Sequence, residues 1–262
     1  MYAGGEGGQV YRVNVSNGST EVIARVGDGL ILGIALDAHD NVYVCDAGGR
    51  RLARVSTDGT VETISRGTPD RPMRIPNFAV FDSAGVLYVS DSGSWTDGGG
   101  CIYRWSPGGQ VSVWSEAAPD FPNGLALSPD ESALYVAESI LPGITRIPIR
   151  LDGSPGKAES VVSLPGTVPD GLAFDVTGRL YIACYRPDRI YAWETDGKLT
   201  VVADDERGTD LSAPTNVAFG GDGMTQLYIA SLGRWHIGRM DVPNPGVRLN
   251  HPSSLIPIEQ RS

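Results

Sequence analysis

Residues 124–139 read GLALSPDESALYVAES, and the same design returns four more times along the chain. The copies are GIALDAHDNVYVCDA at 33–47, FAVFDSAGVLYVSDS at 78–92, GLAFDVTGRLYIACY at 171–185 and NVAFGGDGMTQLYIAS at 216–231. Their starts lie 45, 46, 47 and 45 residues apart. Each copy joins an apolar run to a second run centred on Tyr43, Tyr88, Tyr135, Tyr181 or Tyr228, through a turn usually rich in Asp and Gly. Period-2 alternation with β-branched and aromatic residues predicts strands, and no long stretch has helical spacing. Two further alternating segments usually follow, as in CIYRWSPGGQVSVWS from Cys101 and DRIYAWETDGKLTVVA from Asp188. Four short strands in a repeat of this length predict a propeller blade, which buries its faces only against its neighbours.

The expected fold is all-β, a six-bladed β-propeller over residues 1–246 with a tail at 247–262. Tyr2 keeps the tyrosine register, so the first 24 residues predict a sixth unit, a first blade left incomplete by the lack of its innermost strand. Such a gap leaves backbone groups unpaired. The expectation is that the natural chain begins upstream of Met1. The stretch from Val247 to Ile258 is an alternative filler, disfavoured by its prolines.

With 21 basic and 31 acidic residues the net charge is -10. No basic patch is available to displace counterions, which argues against nucleic acid and anionic membranes as partners. No apolar run is long enough to span a bilayer, and the N-terminus lacks a secretory signal. Three widely spaced cysteines, Cys45, Cys101 and Cys184, fit reduced structural thiols. A cytoplasmic protein is expected.

In a propeller the first strand of each blade lines the central channel, and the residue before it faces the channel mouth. Counting back 11 or 12 positions from the blade tyrosines selects Leu32, Asn77, Asn123, Asp170 and Asn216. Four of the five are Asn or Asp. A convergent set of amide and carboxylate oxygens suits a hard divalent cation. Calcium is expected first, with magnesium, manganese and zinc as alternatives. Pro122-Asn123-Gly124 and Pro169-Asp170-Gly171 are also ordinary turn tripeptides. The turns between third and fourth strands carry separate signals, however, at Asp58-Gly59, Gly108-Gly109, Asp152-Gly153 and Asp196-Gly197.

Asp46, Asp91, Glu138, Cys184 and Ser231 stand three residues after the tyrosines, at the same mouth. Some are placed either to orient the ligands or to cap strand ends in solvent. The loops 66–76 and 92–100 are placed to shape a pocket, with Trp95 either lining it or packing beneath its own loop. The three histidines share no register, and no Gly-x-Ser-x-Gly elbow occurs, so neither a histidine zinc site nor covalent serine catalysis is supported.

FPNGLALSPD, PDGLAFDVTGRLYIACY and PTNVAFGGDG, in this order and spacing, resemble the senescence marker protein/gluconolactonase/luciferin-regenerating enzyme family, which includes regucalcin. The resemblance runs from Tyr2 to about Val247. It implies a divalent metal held by a Glu of the first blade, by the Asn of the PNG motif, here Asn123, and by the Asp of the PDG motif, here Asp170. A further Asn of an Arg-x-Asn-Asp motif carries over to Asn77. Here that motif reads Arg74-Ile75-Pro76-Asn77-Phe78, with the arginine one position early and Phe78 in place of an acid. The family's Glu has no counterpart, Glu6 falling four residues after Tyr2.

The expected metal ligands are thus Asn77, Asn123 and Asp170, with Asp170 also the proton acceptor. Arg74, Asp91, Trp95 and Asn216 are the expected substrate contacts. The expected activity is metal-dependent hydrolysis of a small ester or lactone; the alternative is a propeller that binds a ligand or partner without catalysis.

Overall fold

The structure is a computed structural model that describes residues 1–253. It forms two compact units, Met1–Pro119 with the segment from Leu249, and Asp120–Arg248. In the first unit, β1 (Tyr2–Gly4), β2 (Gln9–Val13) and β3 (Thr20–Arg25) make a three-stranded sheet. Then β4 (Ile31–Leu36), β5 (Val42–Asp46), β6 (Arg51–Val55) and β7 (Val61–Ser65) make a four-stranded one. A short hairpin, β8 (Gly67–Thr68) and β9 (Arg71–Pro72), leads into the sheet of β10 (Pro76–Phe81), β11 (Leu87–Asp91), β12 (Cys101–Trp105) and β13 (Val111–Ser115).

The second unit repeats the scheme. It holds β14 (Pro122–Leu127), β15 (Ala133–Glu138), β16 (Gly143–Pro148) and β17 (Glu159–Ser163), then β18 (Pro169–Phe174), β19 (Leu180–Cys184), β20 (Arg189–Trp193) and β21 (Leu199–Asp204). Its last sheet is three-stranded: β22 (Pro214–Gly220), β23 (Gln226–Ser231) and β24 (His236–Asp241). Every sheet is an antiparallel meander in chain order. Among the described residues the only helices are two short 3-10 turns, and none is long and apolar enough to cross a membrane.

The burial of each strand follows its place in the sheet. β5, β11 and β19 are buried throughout because neighbours cover both faces. Outer strands such as β3 and β21 stay largely open to solvent. The tyrosine register is confirmed by pairing: Tyr2 faces Arg12 as Tyr43 faces Arg54, Tyr88 faces Arg104 and Tyr135 faces Arg146. The first sheet lacks an innermost strand, as expected from its sequence. The tail does not supply one within the described residues. Val247 donates to the Phe174 carbonyl in the second unit, and Ala38 donates to the Pro252 carbonyl in the first; the rest of the stretch to Ile258 lies outside the described residues.

Neighbouring sheets meet in two repeated ways. The blade tyrosine stands edge-on to a phenylalanine of the next first strand: Tyr43–Phe81 at 5.2 Å, Tyr135–Phe174 at 4.9 Å and Tyr181–Phe219 at 5.4 Å. Edge-to-face pairs contribute about 0.5–1.5 kcal/mol beyond the area they bury. Closer in, the first strands touch through backbone. A Cβ on Gly33 would lie 2.5 Å from Phe78 Cα, one on Gly124 2.3 Å from the Asp170 carbonyl oxygen, and one on Gly171 2.6 Å from Asn216 Cα. No side chain fits there.

All three cysteines are free and buried, Cys45 in β5, Cys184 in β19 and Cys101 in β12. Burial pushes the Cys184 thiol up to about 12 and that of Cys101 to about 11.

Gly124→Ala should lower the urea unfolding free energy by about 1–3 kcal/mol, the usual cost of forcing atoms into a packed core. A denaturation midpoint equal to that of the parent would show that these strands do not touch.

Candidate functional site

A β-bulge interrupts each first strand at the same point. Pairing runs Pro122↔Glu138 and then Leu125↔Val136, Pro169↔Cys184 and then Leu172↔Ile182, and Pro76↔Asp91 and then Phe78↔Ser90. The residues left over include Asn123, Asp170 and Asn77. An extra residue bends the strand and re-aims its side chain, which is how a sheet presents a polar group where a regular ladder cannot. In β4 the same irregularity falls at Leu32-Gly33.

The last first strand corrects the count from the tyrosines. β22 pairs Pro214↔Ser231 and then Asn216↔Ala230, so Thr215 is its bulge residue. The longer turn between β22 and β23 displaces the count by one. Asn216 instead holds the position of Gly124 and Gly171, and its Oδ1 lies 2.3 Å from where a Cβ on Gly171 would stand. That oxygen accepts the Val217 N–H at 2.8 Å.

In the second unit the backbone contact at Gly124 sets Asn123 beside Asp170 on adjacent first strands. Asn123 is buried, and its Nδ2 donates to Ser139 Oγ at 3.3 Å. Ser139 donates in turn to the Pro169 carbonyl at 2.6 Å, next to Asp170. The Asp170 carboxylate has no hydrogen bond or ion pair among the described residues. Part of it stays accessible, yet the protein packed around it strips enough water to raise its carboxyl well above the usual carboxylate range.

In the first unit Asn77 is buried and donates through Nδ2 to Ser92 Oγ at 2.9 Å. A serine four residues after the tyrosine thus fixes the amide in both units. Residue-by-residue reading passed over these serines, although Ser92 and Ser139 share a register that the repeat makes visible.

The acids three residues after the tyrosines turn inward. Asp91, expected among the substrate contacts, is buried and accepts backbone N–H groups of Arg74 at 2.7 Å, Ile75 at 3.2 Å and Gly93 at 2.9 Å. It organises two loops instead. Asp46 accepts the Gly49 N–H at 2.7 Å and pairs with Arg51 at 2.8 Å. Glu138 takes the Thr145 hydroxyl and the Asp120 N–H, while burial raises its carboxyl. Ser231 Oγ is buried without a partner among the described residues.

The loops expected to shape a pocket do so in the first unit. A depression of about 310 Å³ is lined by Arg50, Arg74, Ile75, Gly93, Ser94 and Trp95. Its tip is a tight loop closed by reciprocal Ser94–Gly98 backbone bonds of 3.0 Å, and Trp95 stands 53% exposed rather than packed beneath it.

The family model described as SMP-30/Gluconolactonase/LRE-like region matches residues 5–233. The chain belongs to this family. It is 35% identical to a 6-deoxy-6-sulfogluconolactonase of Pseudomonas putida over 42% of its own length and 37% of the relative's. It is 27% identical to a gluconolactonase of Zymomonas mobilis over 76% of its length and 60% of the relative's, so the match spans less than two thirds of either protein. The solved structure of a gluconolactonase from Xanthomonas campestris superposes with a TM-score of 0.77 at 23% identity, covering 90% of this chain and 80% of that one. That likeness establishes the fold: an all-β propeller whose six blades are the six sheets of three or four strands.

The donors of the second unit fit the divalent metal this family implies. A desolvated carboxylate without a partner is stabilised by an adjacent positive charge, and neutral amide oxygens complete a hard-cation shell. Among the described residues no cluster of three or more His, Cys, Asp or Glu could hold a metal, so in the second unit Asp170 would supply the charge and Asn123 an amide oxygen. Glu6 lies on the turn after β1 and is exposed.

In protein treated with a chelator, Asp170→Asn should raise the thermal midpoint at neutral pH. The folded-state pKa lies above the unfolded one, so ionising Asp170 in the fold costs stability once pH passes the ordinary carboxylate value. The gap between the two proteins should close as pH falls below that value. A gap that is absent at neutral pH, or that persists in acid, would contradict the burial of this carboxylate.

Proposed function

We propose that the chain is a divalent-metal-dependent hydrolase of a small ester, a lactone in the first place. The observation that carries this reading is Asp170: a carboxylate raised by desolvation and left without a hydrogen-bond partner, whose backbone carbonyl lies against Gly124, the residue after Asn123. Hydrolysis needs an acceptor for the proton of the attacking water, and a carboxyl raised toward neutrality accepts it more strongly than an ordinary one. Asn123 cannot titrate; held through its nitrogen by Ser139, it serves as an oriented oxygen donor, and Asn77 of the first unit is held in the same way by Ser92. A divalent cation, calcium in the first place, would supply polarisation of the ester carbonyl and a lowered pKa for bound water. The lactonases to which the chain is similar support a lactone as the substrate class.

Asp170→Asn should reduce lactone hydrolysis by roughly 10²–10⁴-fold, the usual worth of a positioned acid–base group, while circular dichroism stays that of the parent. Unchanged turnover would remove Asp170 from the mechanism. Addition of a chelator should abolish hydrolysis, and calcium or magnesium should restore it.

A binding role without catalysis has one observation in its favour: the site offers a cation a single carboxylate. Calorimetric titration with calcium separates the two readings. Tight binding with chelator-sensitive lactone turnover supports the enzyme, whereas the absence of both supports the binding propeller.

A further inference from the structure

The depression in the first unit is lined by two arginines and a tryptophan, and by no acid. Arg50 and Arg74 are both exposed, and neither guanidinium has a hydrogen bond or ion pair among the described residues. The side chains of Arg207, Arg234, Arg239 and Arg248 also lack a partner among the described residues, but Arg50 and Arg74 line one depression together. In a chain of net charge -10, Arg12, Arg51, Arg54, Arg71, Arg146, Arg179 and Arg189 all pair with carboxylates.

The two arginines are held by built loops. Asp46 Oδ1 accepts the Gly49 N–H, Arg66 donates to the Gly49 carbonyl at 2.7 Å, and a Cβ on Gly49 would lie 2.2 Å from Asp46 Oδ2. That pinned turn holds Arg50 at φ 51, a left-handed conformation that costs a residue with a Cβ and gathers at functional positions. Arg74 is fixed by its own N–H on Asp91, whose other oxygen also receives Gly93 of the opposite wall. The floor continues to Asn77: Ser92, which takes its amide, donates its N–H to the Ile75 carbonyl at 2.8 Å.

Planar guanidinium groups recognise carboxylate, sulfonate or phosphate oxygens in paired hydrogen bonds, and a tryptophan face covers an adjoining carbon skeleton. We infer that this depression binds a small molecule carrying such an oxyanion, received by Arg50 and Arg74 with Trp95 against its carbon chain. Binding of the oxyanion does not depend on the hydrolase reading.

Binding and turnover test the two separately. Glucuronate, glucose 6-sulfate and glucose 6-phosphate, none of them a lactone, are titrated against glucose by calorimetry and by the fluorescence change that Trp95→Phe should remove. At least one anion should bind tenfold or more tighter than glucose. Arg50→Gln should lose most of that preference, about 0.5 M salt should weaken it, and Arg150→Gln in the other unit should retain it. In the kinetic arm, hydrolysis of gluconolactone is followed in the parent and in Arg50→Gln. Equal binding of all four sugars, or a preference untouched by Arg50→Gln, overturns it. Anion binding without any lactone turnover supports the pocket and sinks the hydrolase reading; lactone turnover without anion binding does the reverse.

Discussion

Everything else in this fold depends on how closely consecutive innermost strands approach. Gly33 lies against Phe78, Gly124 against Asp170 and Gly171, and Gly171 against Asn216, each at a distance that leaves no room for a methyl group. Backbone in contact with backbone fixes both the spacing and the relative slide of neighbouring sheets. The aromatic pairs farther out, such as Tyr135 on Phe174, then pack at a separation already decided. A slide of one residue would drive a carbonyl into a Cβ, so the repeat is locked at its narrow end.

That lock also accounts for the site. A bulge beside each contact leaves one residue out of the ladder, and the glycine next to it brings the neighbouring bulge close. Asn123 and Asp170 are therefore adjacent for backbone reasons before any ligand is considered. The serine relay from Asn123 through Ser139 to the Pro169 carbonyl adds rotational control of the amide. Asp170 receives no comparable support: its carboxylate has no hydrogen bond or ion pair among the described residues. Natural folds retain such a group where a ligand or a reaction needs it.

Much of this was legible in the residues. The five tyrosine-centred runs and Tyr2 gave the number of blades, and the Pro-Asn-Gly and Pro-Asp-Gly tripeptides marked two positions that the fold turns into bulges. Asn216 was misplaced because counting assumes constant turn length, and the turn before Tyr228 is longer; hydrogen-bond register does not share that weakness. Asp91 misled for another reason. An acid at a strand end looks the same in sequence whether it faces water or folds back on two loops, and only the partners of its oxygens distinguish the cases. The arginine pair was half visible: Arg74 stood near a recognisable motif, whereas Arg50 enters the pocket from a turn 24 residues earlier.

The buried thiols carry a last consequence. With their pKa values pushed up, Cys101 and Cys184 hold almost no thiolate at neutral pH, and alkylating or oxidising reagents act on thiolate. Cys45 and Cys184 lie in second strands of different units and Cys101 in a third strand, so no one of them can be uncovered by fraying at a sheet's outer margin. Each is a silent reporter inside its own blade. The rate at which a thiol reagent consumes them would read out, sheet by sheet, how often the propeller breathes.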